Sequence, residues 1–91
     1  MKVIFTDEAT RDLDEILTYI SAHYPAVYRP FEKRLRTIIT RMRNWPESGQ
    51  EVDERPGVRS VPFIRYPYKI FYRVIQDQIE VLHVHHSARD D

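Results

Sequence analysis

YKIFYRVIQDQIEVLHVHH, residues 68–86, is the stretch that decides the fold of this chain. Two runs rich in β-branched and aromatic residues, 68–75 and 79–86, flank the short linker QDQ, which predicts two strands joined as an antiparallel hairpin. The preceding run VRSVPFI, residues 58–64, has the same character and is followed by the turn-forming RYP. The last third of the chain therefore predicts a three-stranded meander.

Upstream of the meander, two segments have apolar residues at helical spacing. The first begins after Thr6, a typical N-cap, and is broken before Pro25; the second ends at Asn44. Pro30 is compatible with the second helix only if it lies in the first turn. A strand candidate, KVIF at residues 2–5, comes before both helices.

The order β-α-α-β-β-β predicts an α+β fold, a small antiparallel β-sheet with an N-terminal helical hairpin packed on one face. With 91 residues we expect a single domain, residues 1–91. Both faces of the meander carry apolar side chains. Since the hairpin covers only one face, we expect the other to expose Tyr or Phe among arginines.

Composition excludes several classes of protein. Lysine plus arginine and aspartate plus glutamate number 14 each, so the net charge is zero, and cysteine is absent. No apolar run approaches the roughly 20 residues of a membrane span, and the start of the chain turns acidic at Asp7, so we expect a cytoplasmic protein without a membrane partner. Two glycines are too few for a phosphate-binding loop or a nucleophile elbow.

The histidines near the end of the chain are the residues best suited to chemistry. His83 and His85 are two apart on a strand, so they share a face and are candidates to chelate a metal. Because no third ligand has a matching spacing, we expect neither a metal nor a cofactor. His86 projects to the opposite face, with Leu82 and Val84.

His86 and Arg89 admit two interpretations. In one, the histidine exchanges protons while arginines hold a scissile phosphate. In the other, the two residues bond to loop carbonyls or to Asp90 and complete the sheet. The basic residues on neighbouring strands that can approach His86 are Arg59, Arg65, Lys69 and Arg73.

Four segments taken together resemble the RelE/ParE superfamily of toxins from bacterial type II toxin-antitoxin modules: FTDEATRDLDEILTYI, WPESGQ, GVRSVPF and YKIFYRVIQDQIEVLHVHHSARD. They are spread over nearly the whole chain, from residue 5 to residue 90. The resemblance implies a small antiparallel sheet with an N-terminal helical hairpin. It also implies one of two activities, metal-independent cleavage of messenger RNA on the ribosome or poisoning of DNA gyrase.

The resemblance favours the gyrase poison, a protein that performs no catalysis. For an endoribonuclease, it implies the catalytic residues Arg59, Lys69, His86 and Arg89. However, Val61 stands where a second catalytic lysine is expected, and no late tyrosine occurs up to Asp91. HHSARDD resembles the ParE-like branch, and for a gyrase poison the predicted target-binding residues are Arg59, Arg65, Arg73, His86 and Arg89.

The resemblance also implies a cognate antitoxin, with which such a toxin forms a hetero-oligomer. Antitoxins of this type are segments that fold on binding and cover apolar grooves. Apolar residues along the helical hairpin, Tyr19, Tyr24 and Tyr28, are the predicted antitoxin-binding residues. An acidic antitoxin suits the arginine-rich second helix.

Overall fold

The computed structural model of the protein describes residues 1–87 and confirms the α+β fold. Two helices pack against a mostly antiparallel five-stranded sheet with the order β1-β5-β4-β3-β2. The elements are β1 (Lys2–Phe5), α1 (Asp7–His23), α2 (Pro25–Asn44), β2 (Gln50–Glu51), β3 (Val58–Pro62), β4 (Tyr68–Ile75) and β5 (Gln78–His86). Within residues 1–87, neither helix is long and apolar enough to cross a membrane.

The β4–β5 hairpin is the centre of the sheet. Gln76 and Asp77 make its two-residue turn with φ of 50° and 65°, the positive values of the turn type that matches the twist of a hairpin. On the other side of β5, β1 pairs in parallel, from Lys2 opposite Gln78 to Phe5 opposite Val81. The first and the last strand along the chain are therefore neighbours in the sheet.

The helices form where the sequence predicts them, with one exception. Tyr24 separates them, and α2 begins with Pro25 at its first position, where a missing N–H costs no hydrogen bond. Pro30 was predicted to be compatible with α2 only in its first turn, but it lies in the helix interior, where it has no N–H to donate to the carbonyl of Ala26. The prediction was wrong because the helix starts five residues earlier.

The main core lies between the helices and one face of the sheet. Phe31 of α2 stacks on Phe63 with ring centroids 4.9 Å apart, and both are fully buried. Phe63 was predicted in a strand, but β3 ends at Pro62. The ring still lies on the helix-covered face, which is the face that alternation from Val61 predicts for it.

The predicted exposure of aromatic rings on the second face of the sheet is wrong. Phe71 points to that face but is only 5% exposed, because the imidazole of His83 stacks on it at 4.7 Å and 5°. Tyr72 points to the helices and is fully buried. We call the face that carries Phe71 the open face, since both helices pack on the other one.

Candidate functional site

A bulge in β5 sets the direction of its histidines. Phe71 pairs with His83 but Tyr72 pairs with Val81, so Leu82 is an extra residue without a partner in β4. A bulge of this kind redirects the side chains that follow it. It lets β5 place Val81 in the core and still turn His83 to the open face.

His83 is the centre of a hydrogen-bonded chain on the open face. Arg55 Nη1 lies 2.7 Å from His83 Nε2, and His83 Nδ1 lies 2.8 Å from His85 Nε2. A guanidinium only donates, so Nε2 of His83 accepts from Arg55 and the ring proton is on Nδ1, which donates to His85. The predicted sharing of one face by the two histidines is confirmed.

The surroundings of His83 keep its imidazole neutral. Burial is the largest cause that lowers its pKa, followed by the electrostatic interaction with His85 and then by that with Arg55. Glu8 and Asp12 act in the opposite direction but do not outweigh these causes. His83 therefore presents a neutral ring at pH 7.

Helix α1 is fastened to β5 on both sides of His83. The Thr6 hydroxyl donates to the Leu82 carbonyl at 2.8 Å, and the Asp12 carboxylate accepts from the Val84 N–H at 3.0 Å. These contacts bring Glu8 close to the two histidines, so that one ligand atom from each of the three residues lies within 4.8 Å of the others. The third side chain, which the spacing of the histidines does not reveal, thus comes from the opposite end of the chain.

A second group of side chains forms a patch at the end of β5, on the face of the sheet opposite to His83 and His85. The tyrosine patch consists of Tyr19, His23, Tyr24, Tyr68 and His86. Tyr19 contacts His23 at 4.5 Å and Tyr24 at 6.2 Å, and Tyr68 meets His86 edge-on at 5.5 Å, all between ring centroids. Burial, with a smaller contribution from the Tyr19 phenol, raises the pKa of Tyr68. Tyr19 and Tyr24 are 50% and 56% exposed.

The structure brings together two of the three tyrosines predicted to bind an antitoxin. Tyr19 and Tyr24 lie in the tyrosine patch, at the tip of the helical hairpin. Tyr28 instead lines a separate groove of about 460 Å³ between the helices, together with Leu17 and Thr18. His23 was not predicted as part of this surface, although its position one turn after Tyr19 places both on one side of α1.

The predicted basic residues do not converge on one point. Arg59 donates to the carbonyls of Glu47 and Gly49 at 3.0 and 2.8 Å, at the edge of the helix-covered side. Arg73 forms an ion pair with Glu80 at 2.8 Å on the open face. Lys69 pairs across from His85, which places it on the open face as well.

Arg65 is the basic candidate on the loop that leads into Tyr68 of the tyrosine patch. It lies in the turn between β3 and β4 with φ of 83° and lines a groove of about 260 Å³ with Lys33, Arg34 and Tyr66. Among the described residues, the lining of this groove has three cationic side chains and no acidic one. Arg89, predicted as a partner of His86, lies outside the described residues.

Comparison with known proteins identifies the family. The chain matches the family described as ParE toxin of the type II toxin-antitoxin system parDE over residues 3–91. A solved structure described as the chromosomal ParDE TA system from P. aeruginosa is similar with a TM-score of 0.78 and 23% sequence identity, over 94% of this chain and 95% of that chain. No curated protein sequence matches. Because the family match spans nearly the whole sequence, this chain belongs to the ParE family of type II toxins.

Proposed function

We propose that this chain is a poison of DNA gyrase that acts in the cytoplasm as one domain of residues 1–91 and is neutralised by a cognate antitoxin. The observation that carries the proposal is the ParE family match over residues 3–91. A poison needs no catalytic group of its own. It has to bind the enzyme with cleaved DNA more tightly than the enzyme with religated DNA, because a ligand shifts an equilibrium only by its differential affinity.

The arrangement of the basic residues supports a poison over an endoribonuclease. Arg59 pairs with Tyr72 and His86 with Tyr68, four residues apart on β4, which is about 13 Å along the strand. Lys69 lies on the opposite face. Acid-base cleavage of one phosphodiester requires its proton donor, acceptor and charge-stabilising group within hydrogen-bond reach of one phosphate.

We place the gyrase-binding surface at the end of the sheet that carries Arg65 and His86. Arg59 and Arg73 are held by loop carbonyls and by Glu80. Arg65 is exposed and borders the basic groove, which suits the backbone of DNA held by the topoisomerase. His86 is exposed next to Tyr68.

The test uses purified gyrase, plasmid DNA and the full chain, with gyrase-linked cleaved DNA as the readout. We expect the toxin to increase the cleaved fraction in a dose-dependent manner. His86→Ala and Arg65→Ala should each weaken this effect, whereas Arg73→Ala, at the other end of β4, should retain it. Cleavage of ribosome-bound messenger RNA by the purified chain, abolished by Arg59→Ala, would contradict the proposal and support the endoribonuclease.

For the antitoxin, we propose that an acidic segment covers the tyrosine patch. The patch joins the hairpin tip, through Tyr19 and Tyr68, to His86 at the end of β5. A partner seated on the hairpin tip therefore reaches the surface proposed for gyrase, and neutralisation follows from competition. On adding antitoxin, hydrogen exchange should slow in residues 19–28; unchanged exchange there would exclude this surface.

A further inference from the structure

We propose that Glu8, His83 and His85 form a binding site for one divalent transition-metal ion of the zinc type. One nitrogen of each imidazole and one carboxylate oxygen lie within 4.8 Å of each other. Two imidazoles and a carboxylate are a ligand set that zinc uses with water in the fourth position. This site lies apart from the tyrosine patch and does not depend on the proposed function.

The ligands are held before any ion arrives. Bonds from α1 to Leu82 and Val84 flank His83 in sequence, so the first turns of α1 cannot shift along β5 without breaking one of them. The ring of Phe71 stacks under His83 at 4.7 Å and lies 5.7 Å from His85. An ion therefore meets two imidazoles whose positions are already restricted and a helix turn that is fixed beside them, which lowers the cost of binding; the Glu8 side chain itself is exposed.

The two imidazole nitrogens need only a small adjustment. Two nitrogens on a tetrahedral zinc ion at about 2.0–2.1 Å are about 3.3 Å apart. In this structure Nδ1 of His83 and Nε2 of His85 are 2.8 Å apart. A side-chain movement of about half an ångström opens this distance, and the ion takes the place of the proton that the two nitrogens now share.

Charge at the site also suits a cation. Glu8 and Asp12 both act on His83 from α1, and Arg55 is the one guanidinium within residues 1–87 that acts on it. The formal charge of these three residues is −1.

Arg55 competes with the metal. It donates to Nε2 of His83 in this structure, which keeps the ring proton on Nδ1. When a metal binds Nδ1, the ring proton moves to Nε2, and Nε2 can no longer accept from Arg55. Arg55 must then turn away, which its half-buried position in the loop before β3 permits.

The test is a titration of the full chain, prepared without a histidine tag, with Co²⁺, followed by visible absorption. We expect saturation at one equivalent and displacement by one equivalent of Zn²⁺. Glu8→Gln and His85→Gln should weaken binding about tenfold or more. Glu15→Gln on the exposed side of α1 and His23→Gln in the tyrosine patch are the matched controls and should bind as the unchanged chain does.

His83 itself is a poor test residue, because it is buried against Phe71 and its loss can unfold the chain. Arg55→Met serves as the second, independent variant. It should bind Co²⁺ several-fold more tightly than the unchanged chain, since the guanidinium that competes with the metal for His83 is gone. Circular dichroism without metal verifies that each variant folds. Absence of saturable binding, binding unaffected by Glu8→Gln and His85→Gln, or weaker binding by Arg55→Met would overturn the proposal.

Discussion

At the scale of single residues, the Tyr72 hydroxyl links the sheet to the loop that follows α2. It donates to the Pro46 carbonyl at 2.7 Å and accepts from the Gly49 N–H at 3.0 Å. A Cβ on Gly49 would lie 2.6 Å from this hydroxyl, so only glycine permits the contact. One phenol in the core thereby determines the path of a segment that has almost no regular structure of its own.

Tyr72→Phe should destabilise the protein by about 1–3 kcal/mol, because it leaves a buried N–H and a half-buried carbonyl without their partner. Urea unfolding measures the change. Tyr24→Phe removes an exposed phenol and serves as the control, with an expected change within about 0.5 kcal/mol. Equal stability of the two variants would show that the Tyr72 contacts contribute nothing beyond packing.

At the scale of elements, sequence patterns within one segment predict the helices and hairpins that form from interactions within that segment. The helices and the β4–β5 hairpin follow from periodicity and turn residues within each segment. By contrast, β2 is two residues long and exists only because it pairs with β3, and the bulge at Leu82 depends on the register with β4. Local patterns do not encode such pairings.

The dependence on long-range pairing also explains why Glu8 and Arg55 were not predicted beside the two histidines. The alternation of β5 predicts that His83 and His85 share a face, but Glu8 reaches them only because β1 pairs with β5 across the length of the chain. Arg55 comes from an acidic loop without periodicity. No spacing in the sequence relates either residue to the histidines.

The contact between α1 and β5 allows a prediction at this scale. The Asp12 carboxylate accepts from the Val84 N–H, beyond the end of β1, where β5 no longer has a strand on that side. Asp12→Ala should cost about 1.5–3 kcal/mol, because the bond involves a charged acceptor. Asp14→Ala on the exposed side of α1 should cost clearly less in the same urea experiment. Similar losses in both variants would mean that Asp12 stabilises the protein only through the negative charge that it adds to α1, and not through its hydrogen bond to Val84.

Pro30 gives a prediction of the opposite sign. In a helix interior proline costs about 3 kcal/mol relative to alanine, and its restriction of the unfolded chain returns about 0.4–1 kcal/mol. Pro30→Ala should therefore stabilise the protein by about 1–3 kcal/mol. Proline at the first helical position carries no such penalty, so Pro25→Ala should raise the free energy of unfolding little. The interpretation fails if Pro30→Ala is no more stable than Pro25→Ala.

At the scale of the whole molecule, two exposed apolar surfaces lie toward opposite ends of β4. The tyrosine patch includes Tyr68 at its start, and a groove of about 840 Å³ near its end is lined by Met1, Trp45 and Val74. Trp45 is 65% exposed, more than either Tyr19 or Tyr24. Size and exposure alone therefore do not say which surface the antitoxin covers. The two surfaces differ in position, because the tyrosine patch includes His86 of the proposed gyrase-binding surface and the groove at Trp45 does not.

The double variant Tyr19→Ser, Tyr24→Ser should weaken antitoxin binding at least tenfold, because buried aromatic residues supply much of the energy of such interfaces. Its stability should change little, since both phenols are half exposed or more. Trp45→Ser removes a more exposed aromatic residue from the other surface and should leave the affinity unchanged. Calorimetric titration of both variants with the cognate antitoxin decides the matter. A loss confined to Trp45→Ser would move the antitoxin to the far end of the sheet, where it cannot reach His86, and neutralisation by direct competition would have to be abandoned.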